Sequence, residues 1–186
     1  MGTRGIYGLR KNGKDKLTYN HYDSYPDWLG RNILTFIANN KEKLNEVYDN
    51  IILVDGDTTP TQEQIEACKQ YTDLSVSEQS TKDWYCLLRD MQGDLTPYLD
   101  KKCYMINDED FIKDSLFCEY GYIINLDENV LEFYLGFQKT PTKDNRYGIE
   151  VVDKDYEYYP CKNVLNIPLN EITVDKIDKI VKMMEK

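Results

Sequence analysis

The chain has 186 residues, the size of one domain, and its 33 acidic against 23 basic residues leave a formal charge of −10. A field of that sign repels phosphate backbones and anionic membrane surfaces, which sets aside nucleic-acid polymers and membranes as partners. Five cysteines with no C-x-x-C pair, no leader-like start and no apolar run near the ~20 residues of a membrane helix predict free thiols in a reducing compartment, the cytoplasm.

The chain opens on a predicted β-hairpin. Residues 3–9 and 15–20 flank Lys11-Asn12-Gly13-Lys14, and Asn-Gly is a strong two-residue turn because both residues tolerate positive φ. Gly5 and Gly8 inside the first strand predict a bulge, or the close approach of another backbone or a ligand. A turn-rich connector, His21 to Asp27, leads to Pro26, which suits a first helical turn. Apolar residues at Leu29, Ile33, Phe36, Ile37, Leu44, Val47 and Tyr48 then recur with helical spacing, and Asn39-Asn40 is a polar break. Ile51–Val54 reads as a short strand ending in the turn Asp55-Gly56-Asp57. Thr59-Pro60 with Gln62 predicts a capped second helix. Ser80 and Asp83 start a third, with Trp84, Leu87, Leu88 and Met91 on one face and Gly93 past its end.

The second half reads mostly as strand. Residues 116–126 and 130–137 are joined by Asp127-Glu128-Asn129, and in the latter Leu131, Phe133, Leu135 and Phe137 alternate with Glu132, Tyr134 and Gly136, a half-buried pattern. Residues 147–152, 156–159 and 164–167 are further predicted strands, and a last helix starts near Thr173. This order predicts one α+β domain over 1–186, a mainly antiparallel sheet built from hairpins with packed helices.

The charge is uneven. Residues 1–31 hold six cations against three carboxylates, a local +3 that leaves −13 for the rest. A basic segment on an acidic body suits a small anion such as a nucleotide; a solvated hairpin with lysines at its tip has the same composition. Beside it lie Tyr19, Tyr22, Tyr25 and Trp28, with His21 and Arg31. Aromatics mixed with a few cations suit a nucleobase-containing ligand, and core aromatics flanking a helix start look the same. On the binding reading the ligand contacts are Arg4, His21, Tyr25, Trp28 and Arg31.

Catalytic candidates are few. His21 is the one histidine, which excludes two-histidine metal sites, and no phosphate loop, nucleophile elbow or zinc-protease helix is present. No metal and no cofactor is expected. His21 and Asp23 share a face in an extended chain and suit a proton relay; the alternative is a hydrogen-bonded ring beside a helix cap at Asp23 or Ser24. Cys118 becomes a nucleophile if His21 reaches it, and otherwise is a small buried thiol. Glu119 on a strand needs a partner, for which Arg4 is the candidate. Thr3 lacks the free α-amino group that an N-terminal nucleophile needs.

Four segments, Met-Gly-Thr-Arg-Gly at 1–5, Tyr19 to Pro26 with Leu29-Gly30, Asp114 to Tyr120, and Asn125-Leu126-Asp127, resemble those of a family of small proteins carried by phages, prophages and bacteria, with fungal relatives. The resemblance covers the first 30 residues and about 114–136, and it brings no activity. Phage carriage implies, by class analogy, a protein that sequesters a nucleotide-derived host immune signal, a cyclic nucleotide or an ADP-ribose derivative, and on the binding reading a homo-oligomer is expected. The alternatives are a hydrolase of a nucleotide or amide using His21 and Asp23 or Cys118, and an acidic inhibitor that occupies a host protein.

Overall fold

The computed structural model describes residues 2–152 and 155–186. Strands β1 (Gly5–Lys11) and β2 (Lys14–Asn20) form the opening hairpin, with Asn12 and Gly13 both at positive φ as the turn demands. A widened turn, Pro26–Gly30, runs into helix α1 (Arg31–Asn40). The chain tightens over Lys41–Lys43 and resumes as α2 (Leu44–Asn50), so the break falls where the two asparagines predict it. Strand β3 (Ile51–Val54), α3 (Gln62–Cys68), the single turn α4 (Trp84–Leu87) and β4 (Cys103–Ile106) follow. Strands β5 (Tyr120–Asn125), β6 (Val130–Leu135) and β7 (Lys162–Pro168) and helix α5 (Ile177–Met184) complete the fold.

Five strands make one sheet in the order β2-β1-β5-β6-β7, and β3 pairs with β4 in a separate two-stranded sheet. This is the expected α+β architecture with a mostly antiparallel sheet. The central β1–β5 pairing, however, is parallel, with Tyr7 opposite Tyr122. Parallel neighbours cannot be joined by a hairpin. Here the chain between them, Asn12 to Glu119, carries β2, four helices and the small sheet.

Both faces of the sheet are covered. Tyr7, Leu9, Tyr122, Ile124, Leu131 and Phe133 pack on the helical side, in one cluster that extends from Tyr7 to Met184. Ile6, Leu17, Ile123 and Tyr134 point the other way, onto Ile112, Cys118 and Cys161. The half-buried reading of β6 is therefore corrected: Glu132 is as buried as its apolar neighbours, 3% exposed. Strand alternation reports which residues share a face, not whether the second face is wet.

Other boundaries differ for local reasons. Pro60 holds Thr59 extended, so the capping box forms two residues later, between Thr61 and Gln64. Asp83 caps α4 as expected, accepting from the Tyr85 N–H, and Gly93 ends that region at φ +81°. β5 starts at Tyr120 rather than 116, because Phe117 and Cys118 N–H groups fold back onto the Asp114 carbonyl. The strands expected at 147–152 and 156–159 are turns and bends among the described residues, apart from one bridge between Tyr159 and Gln138. Gly8 is explained by its own hairpin: a Cβ there would lie 2.0 Å from the Lys16 carbonyl oxygen.

Candidate functional site

The connector that carries His21 is held by buried hydrogen bonds. Asn20 donates its side-chain amide to the Ser24 hydroxyl at 2.8 Å and also to the Tyr22 carbonyl. The Ser24 carbonyl accepts from the Tyr122 hydroxyl at 2.9 Å, and Ser24 N–H donates to Thr3. This connector therefore leaves the end of β2 in a fixed direction. Across from it, α4 and the turn after it present Tyr85, Arg89 and Gln92.

Between them lies a cleft of about 480 Å³, walled by Tyr19, His21 and Tyr22 on one side and Tyr85 and Arg89 on the other, with Val76 and Ser77 at its rim. His21 Nδ1 is 2.7 Å from the Tyr19 hydroxyl. Burial pushes the Tyr19 hydroxyl up to about 12, so it keeps its proton near neutral pH. With a neutral ring either tautomer completes this bond, Nδ1 accepting from the hydroxyl or donating to it. Burial, with the charges of Arg89 and Arg4, lowers the pKa of His21 below its usual 6.5, which favours that neutral form. The ring also meets Tyr22 edge-on, centroids 4.2 Å apart. Arg89 lies over two rings, 5.1 Å from the centroid of Tyr22 and 5.8 Å from that of Tyr85. Gln92 ties the walls together: its Oε1 accepts from the His21 N–H at 3.2 Å and from Arg89 Nη1 at 2.9 Å.

The arginines divide into two groups. Arg10, Arg31 and Arg146 each pair with a carboxylate: Asp15, Asp27 with Asp178, and Glu132. Among the described residues, Arg4 and Arg89 have no carboxylate within 4.0 Å of their guanidinium. Arg4 instead lies over the Phe117 ring, 4.8 Å from its centroid. These are the two arginines whose charge is felt at His21. Arg89 thus sets a guanidinium without a carboxylate partner in the wall of an aromatic cleft, an arrangement that attracts a small aromatic anion.

The other candidate residues are placed as follows. Arg4, Tyr25, Trp28 and Arg31 do not line this cleft, so of the expected ligand contacts His21 alone does. Trp28 is 57% exposed on the widened turn, and Arg31 is held by Asp27 at 2.7 Å and Asp178 at 2.7 Å. Asp23 sits at φ +51°, with its carbonyl accepting from the Leu29 N–H; the ring partner of His21 is Tyr19, not Asp23. Neither Asp23 nor Ser24 caps the turn that follows by its side chain. Glu119 does join Arg4, but through the Arg4 backbone N–H (3.2 Å), with the Glu119 N–H returning to the Arg4 carbonyl (3.0 Å). Cys118 is fully buried, its thiol pushed well above its usual value by burial and by neighbouring Cys161, which is the environment of an inert thiol.

Tyr85, Arg89 and Gln92 are absent from the sequence reading. Their signal was present: they recur at i, i+4 and i+7, on a face adjacent to that of Trp84, Leu87, Leu88 and Met91. Among the described residues, no group of three His, Cys, Asp or Glu side chains has the geometry to hold a metal, and no helix is long and apolar enough to cross a membrane. No family model, no curated protein and no solved structure matches this chain.

Proposed function

We propose that this protein binds a small nucleotide-derived anion in the His21 cleft and holds it without cleaving it. The observation that carries this reading is Arg89, an arginine without a carboxylate partner, in the wall of a cleft faced by Tyr19, Tyr22 and Tyr85. Tyrosine faces stack on a base, and unpaired guanidinium groups receive its phosphoryl oxygens. Holding rather than cleaving is supported by the surroundings of His21: a tyrosine, not a carboxylate, orients the ring, and the Cys118 thiol is buried. On the resemblance to phage-carried proteins, the ligand is a host immune signal that the protein sequesters from its receptor.

Calorimetry tests this against cyclic mononucleotides, cyclic dinucleotides, ADP-ribose and cyclic ADP-ribose isomers, followed by mass spectrometry of the recovered ligand. Saturable heat that is lost in Arg89→Gln, with the ligand recovered intact, supports the reading. A ligand that returns altered, with the change stopped by His21→Asn, replaces binding by hydrolysis. Folded protein that gives no heat with any of them ends the proposal.

A further inference from the structure

We infer that the His21 cleft couples the binding of an anion to the uptake of a proton: the His21 ring is neutral in the free protein and imidazolium in the complex, so acidification tightens the site. The inference rests on the binding reading above and adds its regulation.

No carboxylate lines the cleft. Tyr19 and Tyr22 face the ring from β2 and the connector, with centroids 5.8 and 4.2 Å away, and Tyr85 faces it from α4 at 6.3 Å. Arg89 stands in the same lining, and the charge of Arg4 reaches the ring from the start of the chain. Asp108 and Asp83 lie outside the lining, each accepting from a backbone N–H at 2.9 Å, those of Tyr19 and Tyr85. The ring therefore meets cations and aromatic rings but no counter-charge, and the protein by itself disfavours the imidazolium. Burial and both arginines act in that direction. An anion held by Arg89 supplies the missing counter-charge, so ligand and proton each favour the other.

The hydrogen bonding of the ring admits both charge states. Among the described residues its nitrogen partner is the Tyr19 hydroxyl, 2.7 Å from Nδ1. A hydroxyl donates or accepts. With the ring neutral it can do either; with the ring charged, Nδ1–H donates to the hydroxyl oxygen and no side chain has to move. A carboxylate partner would hold the ring charged at neutral pH, and a backbone N–H would hold it neutral. Nε2 makes no hydrogen bond to the described residues, which leaves it available to donate to the ligand. The proton comes from the buffer and lands on whichever ring nitrogen lacks one, and no bond of the ligand breaks.

The chain has one histidine, so proton NMR can follow a single imidazole from pH 8 to 5.5, with and without ligand. The probes are cyclic AMP, cyclic di-AMP and ADP-ribose. Their phosphates are diesters, without the second ionisation near ~6 that a monoester carries, so the ligand charge stays fixed. The tightest of them is expected to raise the titration midpoint of His21 and to bind about 10-fold more tightly at pH 5.5 than at pH 8. Calorimetry in buffers of different ionisation enthalpy is expected to show proton uptake on binding. His21→Gln is expected to abolish the pH dependence. Tyr19→Phe keeps the histidine but removes the acceptor of the charged ring, and is expected to lower the midpoint. Circular dichroism at each pH confirms that the proteins are folded. If a probe binds equally at pH 8 and 5.5, if saturation leaves the midpoint in place, or if His21→Gln keeps the pH dependence, the inference fails while the binding reading stands. If no probe binds at either pH, both fall together.

Discussion

Both carboxylate oxygens of Glu132 on β6 accept from the guanidinium of Arg146, Nη1 to Oε1 at 2.9 Å and Nη2 to Oε2 at 2.5 Å. Asn125 donates to the same carboxylate at 2.8 Å and Tyr134 at 3.1 Å. Arg146 continues the chain through the Tyr147 hydroxyl to Asp15, which Arg10 also grips. One buried network thus joins the opening hairpin, the β5–β6 hairpin and the loop before β7. Arg146→Met removes the guanidinium and leaves a buried carboxylate uncompensated, at a cost of about 3 kcal/mol. Urea unfolding is expected to show a lower midpoint, and Arg146→Met combined with Glu132→Gln is expected to recover part of the loss. An unchanged midpoint in the single variant would mean that the bridge contributes nothing.

Stability is expected to fall with acidity in two windows. Burial opposes ionisation of Glu132, but its bonds from Arg146, Asn125 and Tyr134 prevail and hold the group below its usual 4.5. Its contribution is fully present above pH 4.5 and is lost as pH falls through its lower folded value. His21, held below 6.5 by burial and by Arg89 and Arg4, is neutral in the fold and more readily protonated in the unfolded chain. Its contribution is present above pH 6.5 and declines as pH drops below that value. Melting temperatures from pH 8 to 3 check both, and His21→Gln is expected to flatten the upper window alone.

Asp127, in the turn between β5 and β6, accepts from the Asn12 N–H at 2.6 Å and the Gly13 N–H at 2.9 Å. It satisfies the tip of the first hairpin from 115 residues away. Asp127→Ala is expected to speed amide exchange at Asn12 and Gly13 and to leave exchange in the centre of β1 unchanged. Protection that persists at the tip would show that the hairpin needs no outside acceptor.

All five cysteines are free and buried. Burial raises the thiols of Cys68, Cys86, Cys103 and Cys118, which suppresses the reactive thiolate. Slow reaction with a thiol reagent is expected in the native protein, and five equivalents in denaturant. A single fast thiol in the native state would identify a reactive cysteine and revive the nucleophile reading.

Gln92 holds the cleft walls together through His21 and Arg89. Gln92→Leu frees the Arg89 side chain, and ligand affinity is expected to drop about 10-fold through lost preorganisation. The melting temperature is expected to move little. Gln92→Glu places a carboxylate beside Arg89 and is expected to weaken an anionic ligand further, with a shallower salt dependence than wild type. Equal affinity in all three proteins would remove Gln92 from the site.

Short-range chemistry wrote much of this fold into the sequence. The Asn-Gly turn, the break at Asn39-Asn40, the Asp83 cap and the alternation of Leu131 and Phe133 each depend on neighbours within a few residues, and each appears where the local pattern puts it. His21, Tyr19 and Tyr22 were legible as a cluster for the same reason, since they lie within four residues of one another. Three features were decided only by the tertiary structure. The parallel pairing of β1 with β5 joins strands more than 100 residues apart, and no local signal encodes a partner at that range. The burial of Glu132 depends on Arg146 arriving from a loop without regular structure. The cleft itself needs Arg89 and Gln92 carried across from the crossover, and their helical spacing alone could not say what they would face. Local propensity fixes where the chain bends, whereas the burial of both sheet faces fixes which distant side chains meet.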